Sequence, residues 1–287
     1  MRALVVHEIL SDAAYQHSSV ALISGSARFT YESIYERALR LADSLVRLGI
    51  GRNTVVGVMD VNSHRYFELT YALSMVGAVV HTINFRLPPE DLLWTIENAH
   101  DEWLFLWKGF GGLADRVASG SDHVVWMGND AGPRHEYHYE ALVDAGHAKI
   151  PEIAGKIVGS DPFSLFYTTG TTGRPKGIRY THQQMLSGAL QIAHHLALYD
   201  TGAKLSAEDT IMPLIPFFHI HGWGMPFIAP YIGASLVLAE HYGPKEQRAM
   251  IREQGVTFSN MVPTQLVMLL DSSPDPLPLK VLTEEAL

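Results

Sequence analysis

Polar and apolar positions along the chain switch between two periods. Ile34, Ala38, Leu41, Leu45 and Leu48 recur at 3.6-residue spacing, which gives a helix one apolar face and lets Gly49 close it. Thr54–Met59 (TVVGVM) follows, a short apolar run suited to a buried strand. A helix is predicted from near Ser63, and then a strand over Val79–Asn84 (VVHTIN). Pro88 and Pro89 open a third helix, whose Leu92, Leu93, Ile96 and Ala99 face one side. Proline suits that position because the first N–H groups of a helix have no partner within it. Glu102–Trp107 (EWLFLW) and His123–Met127 (HVVWM) read as further strands.

Residues Gly128–Gly159 are polar, rich in His and Gly, and lack a strong periodic segment, so they read as a surface connection. Phe163–Thr169 (FSLFYTT) then reads as a strand. Thr181 and Gln184 have the spacing of a capping box, ahead of a helix whose Met185, Ala189, Ile192 and Leu196 share a face. Strand–helix alternation of this kind predicts an α/β fold in which helices cover a parallel sheet. The expected division is a first α/β subdomain over 1–160 and the start of a second over 161–287.

Ile211–Ala239 changes the picture, because it contains no Asp, Glu, Lys or Arg and is long enough to span a bilayer. Pro213, Pro216, Pro226 and Pro230, with Gly222, Gly224 and Gly233, break it into short pieces. Each proline removes a backbone donor and disfavours a continuing helix. The stretch therefore reads as buried core and pocket wall, and no transmembrane segment is expected. The first residues, with one arginine and a very short apolar run, make a poor secretory signal.

Composition narrows the function classes. With 47% hydrophobic and 18% charged residues over 287 positions, the chain can bury a substantial core and is not of a disordered class. A net charge of −9 leaves no basic field to gather a nucleic-acid backbone, so any phosphate site must be local. The absence of cysteine removes disulfides, thiolate metal sites and cysteine nucleophiles, and fits a cytoplasmic location.

The candidate for such a site is Tyr167–Gln184, YTTGTTGRPKGIRYTHQQ. Glycine frees backbone N–H groups to approach a ligand closely, threonine hydroxyls add donors, and Lys176 adds a positive charge. The combination suits a polyphosphate. It is not the Walker loop: counted from Gly170 the second glycine would fall on Pro175, and Gly177 follows Lys176. GIRYT after the lysine favours extended structure, so the loop is expected between two strands, presenting its amides as an anion-binding nest.

YTTGTTGRPKG resembles the phosphate-loop signature of the adenylate-forming enzymes, which include acyl-CoA synthetases, luciferase and peptide-synthetase adenylation domains. PFFHIHGWG (Pro216–Gly224) resembles the aromatic–histidine motif of that family's acyl and adenine site. Its phenylalanine–histidine–x–x–x–tryptophan arrangement is most similar to the fatty acyl-CoA synthetase branch. FTYESIYERALRLADSLVRLGI, NFRLPPEDLLWTIENA and GVTFSNMVPTQLVMLL extend the resemblance over nearly the whole chain from about Phe29.

The resemblance implies layered sheets with covering helices, as in an incomplete N-terminal domain of the family. It also implies activation of a carboxylic acid, most readily a fatty acid, by ATP with Mg²⁺, followed by transfer of the acyl group to coenzyme A. Thr168 would place a hydroxyl near Mg²⁺. Thr169, Gly170, Thr171, Thr172 and Gly173 would cradle phosphate, and Lys176 would neutralise it. His219, as a catalytic and pocket residue, Gly222 and Trp223 would line the junction of acyl pocket and nucleotide. Read alone, His219 would be a core histidine and Trp223 ordinary core. A metal role for His219 with His221 is not expected, since Mg²⁺ prefers oxygen and no cysteine or carboxylate motif completes a zinc site.

The chain departs from the family after LKVLTEEAL, where Glu284 and Glu285 stand near the place of a glycine pair in the acyl pocket. The family's later glutamate, ribose-binding aspartate and C-terminal lysine motifs have no counterpart. The expectation is therefore the N-terminal part of a ligase, incomplete by itself. It is expected to associate with a missing C-terminal part or as a homodimer. An amino-acid or aryl-acid adenylating domain and a non-catalytic nucleotide-binding module remain the alternatives.

Overall fold

The computed structural model of the protein describes residues 4–128, 137–168, 173–199, 202–240, 242–277 and 279–283. Its strands, in chain order, are β1 (Ala21–Ser24), β2 (Ala27–Thr30), β3 (Val55–Met59), β4 (Val79–Thr82), β5 (Trp103–Trp107), β6 (Val124–Met127) and β7 (Tyr137–His138). They continue with β8 (Pro162–Thr168), β9 (Lys176–Thr181), β10 (Thr210–Ile211), β11 (Ser235–Leu238), β12 (Phe258–Asn260) and β13 (Lys280–Leu282). The chain forms two compact units. The first comprises Met1–Glu8, Tyr35–Val61 and Arg65–Met185, and the second Ile9–Ile34, Asn62–His64 and Leu186–Leu287.

The first unit is built on a sheet of order β7-β6-β5-β3-β4-β8-β9, parallel throughout except for the antiparallel pair β8 and β9. All five residues of β3 and all four of β4 are buried, the polar His81 and Thr82 of β4 included, as in inner strands of a parallel sheet. In the helix Tyr31–Arg47, Ile34, Ala38, Leu41 and Leu45 are fully buried, and Gly49 follows at φ 82°. The expected helix from Ser63 is His64–Val76, and the one opened by prolines is Pro89–Ala99. The capping box forms reciprocally: Thr181 N–H donates to Gln184 Oε1 at 2.9 Å, and Gln184 N–H donates to Thr181 Oγ1 at 3.2 Å. The helix it opens, His182–Leu198, buries Met185, Ala189 and Leu196.

The second unit has a sheet of order β13-β12-β10-β11-β1-β2, again parallel apart from its last pair. Ile211–Ala239 supplies the last residue of β10, the helix Met225–Ile232 and β11, and most of it is buried. Among the described residues no helix is long and apolar enough to cross a membrane.

Two expectations differ from this architecture. The units do not divide at residue 160. β8 pairs in parallel with β4 through Val80 and Ser164, which keeps 161–185 with the first sheet. β1 pairs with β11 through Leu22 and Leu236, which carries the opening hairpin into the second. Nor is 128–159 a plain connection. It adds β7 to the sheet edge, then the helix Tyr139–Ala145 and a 3₁₀ turn at Glu152–Lys156. A two-residue strand has no period to read, and a seven-residue helix that buries only Tyr139 and Val143 barely shows one.

Candidate functional site

The sequence-predicted site residues fall into two groups, one in each unit. In the first unit, β8 runs from buried Phe163–Phe166 to exposed Thr168, and its register partner on β9 is Lys176. The loop therefore lies between two strands, as its flanking residues imply. Thr169, Gly170, Thr171 and Thr172 lie outside the described residues. β9 is the edge of its sheet, and Lys176, Gly177, Ile178 and Arg179 are exposed. Gly173 has φ 110°, a conformation side chains rarely adopt, and a Cβ there would meet nothing within 4 Å. Exposed Thr168 thus stands opposite exposed Lys176 where the two strands meet the loop.

In the second unit the aromatic–histidine segment is held from inside. Asn62 donates both amide hydrogens, to the Pro213 and Ile215 carbonyls at 3.0 Å each, and its Oδ1 accepts the Phe217 N–H at 2.8 Å. Next comes an uncommon backbone: Ile220 (φ 43°), His221 (47°), Gly222 (58°), Trp223 (56°) and Gly224 (76°) all lie in the left-handed region. For each non-glycine residue that conformation costs roughly 1–2 kcal/mol. The turn is stabilised by Gly222 N–H to the His219 carbonyl at 2.8 Å and Gly224 N–H to the His221 carbonyl at 3.1 Å. A side-chain bond from Asn260 Nδ2 to the Gly222 carbonyl at 2.9 Å adds to these. A Cβ on Gly222 would press on the Ile215 carbonyl at 3.0 Å, and one on Gly224 would stand 2.8 Å from the Ala189 Cβ.

The turn separates the two histidines. His219 is exposed, contrary to its reading as a core histidine, whereas His221 is buried. Burial pushes the His221 imidazole down to about 3, so it is neutral near pH 7. Trp223 is half-buried and Gly222 buried. Thr168 and Lys176 are thus brought together as strand partners, and His219, Gly222 and Trp223 as members of one turn. Sequence reasoning missed Asn62 and Asn260. Their only signal was an amide side chain between one apolar residue and one serine, which states nothing about partners 153 and 38 positions away.

Residues 10–283 match the family described as AMP-binding enzyme. The chain is 34% identical over 254 residues to a long-chain-fatty-acid–CoA ligase of Thermus thermophilus, covering 85% of this chain and 44% of that protein. It is 30% identical over 285 residues to a 3-methylmercaptopropionyl-CoA ligase of Ruegeria lacuscaerulensis, covering 91% and 50%. Among solved structures it is similar in fold to an anthranilate CoA ligase in complex with anthranoyl-AMP, with a TM-score of 0.86 at 21% identity, over 98% of this chain and 55% of that one. The chain spans about half the length of the relatives it matches.

Proposed function

The chain belongs to the family of AMP-binding enzymes, and on that premise we propose that it is the N-terminal part of a ligase converting a carboxylic acid to its acyl-CoA. In this reading the carboxylate attacks the α-phosphorus of ATP, forming acyl-AMP and releasing pyrophosphate. The thiol of coenzyme A then displaces AMP to form the thioester. The observation that carries the proposal is the pairing of exposed Thr168 and Lys176 at the mouth of the glycine-rich loop.

Lys176, Gly173 and the Thr169–Thr172 segment would hold the β- and γ-phosphates, the leaving group of the first step. Donors fixed where charge develops lower the barrier without reorganising during reaction. Mg²⁺ takes oxygen ligands and keeps several waters beside phosphate oxygens, so the single exposed hydroxyl of Thr168 fits it as one donor. The ion would neutralise phosphate charge. His219, Gly222 and Trp223 would line the acid pocket, and the apolar character of Ile211–Ala239 favours an aliphatic or aryl acid. The relatives named for fatty acids support the aliphatic choice. The cysteine-free composition supports a cytoplasmic location.

Acid-dependent ATP–pyrophosphate exchange tests this. The 287-residue chain alone should run near background, because losing one electrostatic contact to the transition state typically costs about 10²–10³ in rate. The same chain joined to the remainder of a ligase should exchange with aliphatic acids. A joined protein inactive across a panel of aliphatic and aryl acids would make the chain a nucleotide-binding module instead.

A further inference from the structure

Beneath the hairpin the first unit buries a hydrogen-bonded pair that the reaction above does not use. His81, on β4, and Asp101, just ahead of β5, have side chains exposed by 1% and 0%, and His81 Nδ1 lies 2.7 Å from Asp101 Oδ2. Such a pair is costly to bury, since two polar groups leave water and, among the described residues, His81 Nε2 and Asp101 Oδ1 find no hydrogen-bond partner. Burial raises the Asp101 carboxyl above the usual carboxylate range, against the opposing pull of His81.

The surroundings are shaped to accept the pair. Gly57 is the register partner of His81, and a Cβ there would stand 2.6 Å from Asp101 Oδ2. On its other side the His81 ring lies 5.1 Å from the ring of Tyr167, the residue immediately before Thr168. Tyr167 is fixed in turn: its hydroxyl donates to Asn98 Oδ1 at 2.8 Å, and Trp94 meets it edge-on at 6.0 Å. Its register partner is Gly177, where a Cβ would come within 3.1 Å of the tyrosine ring. The returning end of the loop is held by the same group, for the Arg174 guanidinium lies 5.4 Å from the Trp94 ring centroid.

We infer that Asp101, His81 and Tyr167 form an internal strut whose task is to position both ends of the phosphate loop. Asp101 orients the His81 ring, His81 supports the Tyr167 ring, and Tyr167 sets the place of Thr168 and, across the hairpin, of Lys176. These are positioning residues. The consequence for phosphate rests on the functional reading above, whereas the positional role does not.

Amide hydrogen exchange on the 287-residue protein tests the strut directly. Asp101→Leu removes the hydrogen-bond partner of His81 Nδ1 and should speed exchange across Tyr167–Thr181 by at least about tenfold, leaving β5 and β6 near their starting rates. Asp101→Asn keeps a side-chain amide, which can accept from or donate to His81 Nδ1, and should stay within about twofold of the parent. Calorimetry with Mg-ATP should follow the same order, weaker for Leu and unchanged for Asn. If the parent binds no Mg-ATP, the functional reading fails while the exchange data still decide the strut. Should Asp101→Leu not fold, Tyr167→Leu removes a half-buried ring and should loosen the same segment. An unchanged hairpin in a folded variant would overturn the inference. Equal loosening by Leu and Asn, or loosening spread evenly through β5 and β6, would do the same.

Discussion

The hairpin that carries Thr168 and Lys176 and the turn that carries His219 and Trp223 both use glycine at positive φ, but the space around those glycines differs. A Cβ on Gly173 would stand in open space, while one on Gly224 would collide with Ala189. The hairpin is exposed at a sheet edge, and its charged and hydroxyl groups face water. The turn is embedded in an apolar stretch and depends on two distant asparagines to satisfy its backbone. One region exposes Thr168 and Lys176. The other consumes its hydrogen-bonding capacity in holding a strained backbone, and exposes one histidine.

The largest expected effect follows from that internal bonding. Asn62→Ala removes three buried hydrogen bonds, to the Pro213 and Ile215 carbonyls and from the Phe217 N–H, so denaturant unfolding should show a loss of about 3 kcal/mol or more. A loss under about 0.5 kcal/mol, the range of an ordinary surface change, would mean that water replaces the asparagine without penalty.

The two glycines come next. Gly224→Ala combines a disfavoured φ with a buried overlap and should cost about 2–4 kcal/mol. Gly173→Ala meets only the backbone term and should cost roughly 1–2 kcal/mol. Equal values would erase the contrast drawn between the regions.

Acidity should affect both regions alike, because each has one buried neutral histidine nearby. His221 lies in the turn. His182 directly follows β9, and its Nδ1 accepts the Val6 N–H at 3.3 Å. Burial, reinforced for His182 by His7, pushes both down to about 3. Between that value and about 6.5 the unfolded chain binds more protons than the folded one, so stability is complete above pH 6.5 and falls as the pH drops. From pH 7 to pH 5 each histidine should remove about 2 kcal/mol. In His182→Phe the pH-dependent loss should shrink by about that amount, and an undiminished loss would assign it to other groups.

The same contrast governs what the sequence makes legible. Ile34, Ala38, Leu41 and Leu45 show their helix because its buried face repeats every turn, and the capping box of Thr181 and Gln184 is a local bond. The strand after the loop is legible because GIRYT favours extended structure, and β9 covers Lys176–Thr181. The turn is not legible, because five left-handed residues leave no periodic trace and only two of them are glycine. Asn62 and Asn260 act on segments far along the chain, and β1 joins a sheet whose next strand, β11, begins at Ser235. Pairings of that range depend on the closed fold, which no local pattern encodes. The His81 and Asp101 pair escapes for the same reason.

The smallest expected change in stability accompanies the most direct test of the phosphate site. Lys176→Ala alters an exposed side chain and should move stability by less than about 0.5 kcal/mol. Titration calorimetry with Mg-ATP should nonetheless show binding at least about tenfold weaker than in the parent, a difference of about 1.4 kcal/mol. Lys149→Ala, a control that is also exposed, should bind as the parent does. Equal affinity for the two variants would remove the Thr168–Lys176 hairpin from the nucleotide site.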